Sequence, residues 1–272
     1  EELTAKYLGG KGLGTRLLYD EVKPGIDPLG PENKLIFTTG PATGTAIPNK
    51  GYIVCFKSPQ TNIYSSSNSG GFFGAELKMA GYDVLIIEGR SDKPVYLWID
   101  DQQVQIRDAR SLWGKDTFET DTIIKEELGD EEIKVARIGP AGENLVKFAS
   151  IVNDHSRTAG RTGAGSVAGS KRLKAIAVRG TGHINVADME KLLQLAGDIY
   201  GRIKETKSTS EVYPKWGTPA GVNVAQMLGV FPTKYWHEGV FDGYEQIDAE
   251  TMRSKFVVKD KACYSCAVRC SK

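Results

Sequence analysis

The 272-residue chain carries 35 Lys and Arg against 34 Asp and Glu, a formal net charge of +1, so it lacks the basic footprint of a dedicated nucleic-acid binder. Its 31 glycines and 11 prolines are too few for a collagenous or low-complexity chain, and 40% hydrophobic with 25% charged residues furnish a core and exclude global disorder. The longest apolar stretches, such as Val84 to Ile87, fall far short of the roughly 18 residues that span a bilayer. No signal-peptide pattern opens the chain. A cytoplasmic protein with small-molecule partners, no nucleic acid and no membrane is expected, trimmed at the Glu1 end and again just after Cys270.

Helical spacing covers Leu3 to Glu21, and short β-type runs separated by glycine turns follow: Lys34 to Thr38, Tyr52 to Lys57, Val84 to Glu88, Val95 to Ile99, Val104 to Arg107, Lys134 to Ile138, Phe148 to Val152 and Ala175 to Arg179. Asp100-Asp101 reads as a turn. Between the strands a helix is predicted over Thr117 to Leu128, opened by Asp116 and Glu119 as a capping box. Past Gly180-Thr181-Gly182 the texture becomes helical, with Met189 to Thr206, Val222 to Gly229 and Ala249 to Phe256. A boundary near 182 therefore separates residues 1–182 from 183–272.

The first of these regions contains an internal repeat. Lys34-Leu-Ile-Phe-Thr-Thr-Gly40-Pro41-Ala42 is echoed by Lys134-Val-Ala-Arg-Ile-Gly139-Pro140-Ala141. Each copy continues through a β-type run into a polar glycine loop, Asn68-Ser-Gly70-Gly71 or Arg157-Thr-Ala-Gly160-Arg161-Thr-Gly163, then a small-residue segment and an apolar strand ending at Gly89 or Gly180. Two halves packed about a pseudo-two-fold axis would turn both loops to one crevice, suited to a bipartite anionic ligand. Lys34 is expected to match Lys134, and Gly40-Pro41 to match Gly139-Pro140.

Cys263, Cys266 and Cys270 form C-x2-C-x3-C, a clustering of soft ligands that suits an iron–sulfur cluster or zinc, the cluster being favoured. Cys55 reads as a buried strand thiol, and the fourth ligand is expected beyond residue 272. Gly70-Gly71 ahead of Phe72 to Ala80 is a candidate phosphate cradle, and Arg157 and Arg161 offer guanidinium forks. Neither loop fits a P-loop, and Gly163-Ala-Gly165-Ser-Val-Ala-Gly169 misses the dinucleotide fingerprint by one residue. His155 adjoins the arginine loop; His183 and His237 read as surface residues, and Tyr235-Trp236-His237 as core aromatics rather than a pocket lining. No catalytic triad or carboxylate pair emerges from the spacing.

Taken together, Leu8-Gly-Gly-Lys-Gly12, Pro31-Glu-Asn-Lys-Leu35, Gly40-Pro-Ala-Thr-Gly-Thr45, Lys57-Ser-Pro59, Asn68-Ser-Gly-Gly-Phe-Phe-Gly-Ala-Glu-Leu-Lys78 and Ala80-Gly-Tyr-Asp83 resemble the tungsten-containing aldehyde:ferredoxin oxidoreductase family. So do Arg137-Ile-Gly-Pro-Ala-Gly-Glu-Asn144, Arg157-Thr-Ala-Gly-Arg161, Gly169-Ser-Lys171 and the cysteine motif. The resemblance implies an α+β fold: two related β-sheets with short helices form a pseudo-two-fold base domain under a tungsten, or molybdenum, bis-pterin cofactor, and the mainly helical segment after it carries the cysteine motif. It implies that Asn68, Gly70, Arg157, Thr158, Gly160 and Arg161 contact the pterins or their phosphates. Asn68 and the Thr158 carbonyl would meet a magnesium ion, and Cys263, Cys266 and Cys270 would hold a [4Fe-4S] cluster. The implied activity is oxidation of an aldehyde to a carboxylic acid with ferredoxin as acceptor, in a homo-oligomer or with additional electron-transfer subunits. It places no catalytic residue in this chain, which alone is expected to be inactive. One departure from the family pattern is Gly51, where an arginine is expected; Lys50 would substitute as a point charge. The competing classes are a non-catalytic iron–sulfur electron-transfer scaffold and a zinc-stapled nucleotide-binding domain.

Overall fold

The computed structural model describes residues 2–49 and 51–272. The chain divides into two compact units: one takes the chain up to Thr45 and again from Asn49 to Val186, the other Ala46–Pro48 with Ala187–Lys272.

The first unit holds helices α1 (Glu2–Tyr7), α2 (Gly10–Glu21), α3 (Phe73–Met79), α4 (Thr117–Leu128), α5 (Pro140–Glu143) and α6 (Ala164–Ser170). Its strands are β1 (Leu35–Thr39), β2 (Tyr52–Lys57), β3 (Tyr64–Ser69), β4 (Val84–Ile87), β5 (Val95–Asp100), β6 (Gln103–Asp108), β7 (Lys134–Arg137), β8 (Ile151–Asn153), β9 (Arg157–Ala159) and β10 (Leu173–Arg179). They form a four-stranded sheet, β3-β2-β1-β4, and a six-stranded sheet, β6-β5-β10-β7-β8-β9. The fold is α+β. Among the described residues no helix is long and apolar enough to cross a membrane.

Strands here bury two faces, which explains their near-continuous apolar runs. In β1, Leu35 and Phe37 join the large core shared by the sheets, α3 and α6, while Ile36 faces the other way with Leu18 of α2 and Cys55 of β2. In β10, Ile176 and Val178 enter that core, while Ala175 and Ala177 turn toward Ile124 of α4. Helix α4 begins where expected, with Asp116 and Glu119 satisfying each other's backbone amides. The predicted first helix is instead two, broken where Leu8 and Gly9 take φ values of 63° and 136°. Strand β8 starts later than predicted, because Phe148 lies exposed outside it.

The repeat is written in the strand order. β3-β2-β1-β4 and β9-β8-β7-β10 follow the chain in the same sequence, and every adjacent pair in each set is antiparallel. Phe37 pairs with Val54 and Leu85, and Ala136 pairs with Asn153 and Ile176. Thr39 N–H donates to Asp83 O at 2.9 Å, and Ile138 N–H to Lys174 O at 3.0 Å. Thr43 closes a turn onto Gly40 at 3.1 Å, as Gly142 does onto Gly139 at 2.9 Å. Gly40 and Gly139 are therefore equivalent as expected, but Lys34 is not equivalent to Lys134. That match is off by one residue, and a one-residue slip would turn Phe37 into the counterpart of Arg137 and exchange the faces of the strand.

The second unit is helical: α7 (Met189–Glu205), α8 (Tyr213–Trp216), α9 (Gly221–Met227) and α10 (Ala249–Lys255), with a π-helical turn at Ser208–Val212 and 3-10 turns at Thr218–Ala220 and Tyr244–Gln246. Asp188 and Asp248 cap α7 and α10 through their carboxylates. The expectation of core aromatics at Tyr235-Trp236 fails: these side chains are 91% and 77% exposed, on a turn from Lys234 to Trp236 with positive φ.

Candidate cofactor site and cysteine loop

The register places the predicted binding residues at matching stations. In the β2–β3 ladder Asn68 lies opposite Ile53, and in the β8–β9 ladder Thr158 lies opposite Val152. Carrying the repeat through these ladders makes Asn68 the counterpart of Thr158, and Gly70 that of Gly160. Both Asn68 and Thr158 are exposed, and the residues after them, Ser69 and Ala159, are buried.

Strands β3 and β9 each sit at the edge of a sheet, and they meet one another. Ser65 Oγ lies 2.5 Å from Thr162 Oγ1, and Ser67 Oγ donates to Gly160 O. The numbers run in opposite directions, so the two equivalent segments run antiparallel, as a two-fold axis perpendicular to them produces. Both polar loops are thus brought side by side. Their proximity follows from a feature the sequence hid: Tyr64-Ser-Ser-Ser-Asn-Ser69 is a strand of polar residues, with no apolar alternation to announce it.

A buried amide locks the loops together. Asn153, fully buried at the end of β8, accepts hydrogen bonds from Tyr52 Oη (3.1 Å) and Ser69 Oγ (2.7 Å). Its Nδ2 donates to Gly70 O (3.0 Å) and to Asp154 Oδ2 (2.6 Å), so both donors and both acceptor positions of the amide are used. Asp154 Oδ2 in turn accepts from Phe72 N–H at 2.8 Å, at the start of α3. Burial pushes the Tyr52 phenol well above its usual range, keeping it a neutral donor. Asn153 and Asp154 were invisible in the sequence, since a lone Asn-Asp pair beside a β-run reads as a turn.

Arg157 is half-buried, and its Nη2 is buried without a hydrogen-bond partner among the described residues. Such a group costs free energy unless something satisfies it, as a phosphate oxygen bound at these loops would. Arg161, exposed and held at φ 64°, borders the same loop. His155 turns aside: its ring stacks on Phe118 of α4 at 5.5 Å, with Nε2 3.7 Å from Asp121. His183 and His237 are exposed.

Gly51 explains the departure from the expected arginine. Its φ is +79°, and a Cβ there would lie 2.6 Å from Ser69 O, so this backbone admits no side chain. Lys50 lies outside the described residues. Cys55 is fully buried, and burial raises its thiol pKa, which fits an inert strand residue.

In the second unit Cys263, Cys266 and Cys270 are half-buried free thiols on a segment outside regular helices and strands. An antiparallel bridge between Lys261 and Ser271 closes this segment into a loop. Tyr200 Oη of α7 anchors it from outside by donating to Ser265 O at 2.7 Å, and Gly217 lies against Cys270, where a Cβ would come 2.7 Å from the Cys270 carbonyl. Three thiols within eight residues are soft donors of the type that iron–sulfur and zinc sites use, although among the described residues no group of three or more His, Cys, Asp or Glu is gathered to hold a metal ion.

Residues 1–180 match the family model for the N-terminal domain of aldehyde ferredoxin oxidoreductase, and residues 194–272 match its domains 2 and 3. The chain belongs to the aldehyde ferredoxin oxidoreductase family. It is 48% identical over 274 residues to the tungsten-containing aldehyde ferredoxin oxidoreductase of Thermococcus kodakarensis and 47% identical to that of Pyrococcus furiosus, covering 100% of this chain and 45% of each relative. At 36% identity it also matches the WOR-like subunit of an aliphatic sulfonate oxidoreductase from Pyrococcus furiosus, covering 46% of it. Among solved structures, the active-site complex BamBC of benzoyl coenzyme A reductase with 1,5-dienoyl-CoA superposes with a TM-score of 0.86 at 36% identity, covering 99% of this chain and 43% of that one. The chain spans about half the length of the curated relatives it matches.

Proposed function

We propose that the protein carrying this chain oxidises an aldehyde with water to a carboxylic acid, releasing two electrons and two protons, with ferredoxin as electron acceptor. The observation that carries this reading is the meeting of two equivalent polar loops at Asn68–Gly70 and Thr158–Gly160, with a buried guanidinium nitrogen of Arg157 that has no partner among the described residues. The aldehyde class is preferred because relatives of that name share 46–48% identity, against 36% for the sulfonate-type subunit.

A tungsten or molybdenum ion on two pterin dithiolenes supplies the two-electron redox chemistry when bound. The residues of this chain bind and orient it. Arg157 and Arg161 neutralise phosphate groups, Gly70 and Gly160 let the backbone approach closely, and Asn68 with the Thr158 carbonyl offers hard oxygen donors for magnesium, one from each half. Residues 1–182 act as the pterin-binding domain, and residues 183–272 begin the helical domain in which Cys263, Cys266 and Cys270 ligate a [4Fe-4S] cluster. The working location is the cytoplasm.

Metal analysis and aldehyde-dependent viologen reduction on full-length protein purified without oxygen test this reading. Tungsten or molybdenum with iron and aldehyde-dependent reduction are expected; zinc alone would overturn it. Arg157→Ala and Arg161→Ala are expected to lose pterin while keeping the fold, because Arg157 at the start of edge strand β9 and Arg161 in the turn after it both lie outside the hydrophobic core. Wild-type tungsten content in both variants would remove the phosphate-clamp role.

A further inference from the structure

Two lysines three residues apart, Lys171 and Lys174, are both buried, and only one is neutralised. Lys174 Nζ pairs with Glu143 and donates to Lys115 O at 2.7 Å. Lys171, 3% exposed, has its Nζ on two backbone carbonyls, Gly89 O at 3.0 Å and Pro31 O at 3.3 Å. Among the described residues no carboxylate lies within ion-pair distance of it. The acid whose charge acts on it is Glu88, and that carboxylate is bonded to Lys34 at 2.8 Å. A buried cation without a counter-ion is costly unless an anion joins it.

Lys171 lines a pocket of about 370 Å³ in the first unit, within the roughly 300–1,000 Å³ range of small-molecule sites. Much of the lining is aliphatic, from Ile87 of β4, Val95 and Leu97 of β5, Ile106 of β6 and Leu173 of β10, and the one carboxylate that lines it, Glu88, is largely exposed and paired with Lys34. The other cation at the rim, Arg90, is exposed and commits its Nε to Ser170 O. One buried ammonium and a wall of aliphatic side chains match a single negative charge on an apolar tail. They match a hydrated dianion poorly.

We propose that this pocket binds a small monocarboxylate with an aliphatic tail, the carboxylate on Lys171 Nζ and the tail against Leu97, Ile106 and Leu173. The pocket is separate from the polar loops, and the inference does not depend on the reaction proposed above. Burial lowers the Lys171 pKa to about 8, with Glu88 opposing that shift and Arg90 and Lys34 adding to it, so the ammonium still predominates at neutral pH.

The test is photolabelling of the full-length protein with a hexanoate analogue bearing a diazirine on its tail, mapped by peptide mass spectrometry. Labelling within residues 87–106 or at Leu173 is expected, protected by excess hexanoate but not by hexanol or inorganic phosphate. Lys171→Met should weaken labelling at least about tenfold, the scale of a lost charge-assisted hydrogen bond. Ile106→Glu changes an exposed wall residue that the fold does not need, and it should weaken labelling similarly even if Lys171→Met fails to fold. Labelling elsewhere, undiminished labelling in Ile106→Glu, or protection by phosphate equal to that by hexanoate would overturn the proposal.

Discussion

The two halves of the first unit share a backbone plan and differ in where they keep charge. At stations where the first half has Thr38, Ala80 and the exposed Asp83, the second has the buried cations Arg137, Lys171 and Lys174. The loops differ in the same sense: Asn68-Ser-Gly-Gly offers neutral oxygens and backbone, and Arg157-Thr-Ala-Gly-Arg161 offers cations. A repeated fold can thus hold geometry fixed while one copy specialises in charge, because strand pairing depends on backbone groups and alternation, not on side-chain identity.

Breaking a buried ion pair in the second half should have the largest effect. Lys174 and Glu143 are almost fully buried, with side-chain exposures of 0% and 4%, and removing one partner strands a charge at a cost of about 3–5 kcal/mol. Glu143→Ala should show this in denaturant unfolding of the protein. The corresponding region of the first half carries the Lys78–Asp83 pair, whose aspartate is 56% exposed, so Asp83→Ala should cost under about 1 kcal/mol. Equal losses would erase the asymmetry.

Next comes the amide that joins the halves. Asn153→Ala leaves Ser69 Oγ, Tyr52 Oη and Gly70 O short of a partner in a buried setting, at about 2–3 kcal/mol. It should also lower pterin and tungsten content, since Gly70 and Asp154 lose their anchor. Retention of wild-type stability and metal in this variant would mean that the loops are positioned by something else.

The smallest effect is a pH slope. An ordinary lysine keeps its proton to about 10.5, whereas folded Lys171 releases it near 8. Between those values the unfolded chain holds more protons, so wild-type stability gains with rising pH from this group, and the gain is lost as pH falls through 8. Measured against Lys171→Met, wild type should improve in relative stability from pH 8 to 10.5; a flat difference would show that the lysine is not desolvated.

Much of this was legible in the sequence. Strands buried on both faces announce themselves as apolar runs, and the Gly40-Pro41 and Gly139-Pro140 signatures exposed the duplication. β3 and β9 were hidden because their side chains are polar and their role is to face one another, a tertiary fact without a local pattern. The Lys34 match failed because a shared lysine outweighed the period-2 alternation. The exposed Tyr235 and Trp236 defeated composition because aromatic character alone does not say whether a turn with three consecutive positive φ values packs into a core. The burial of Lys171 and Lys174 had no local signal, since nothing in Gly-Ser-Lys-Arg-Leu-Lys-Ala shows which lysine meets a carboxylate.

The central claim is that two equivalent loops, one from each half, serve a single bipartite ligand. An experimental structure of the full-length protein carrying its cofactor tests it directly. One ligand should touch both the Gly70 and the Gly160 loops, with Arg157 Nη2, which has no partner among the described residues, on an anionic oxygen. A cofactor contacting only one half, or an Arg157 turned away from it, would contradict the account.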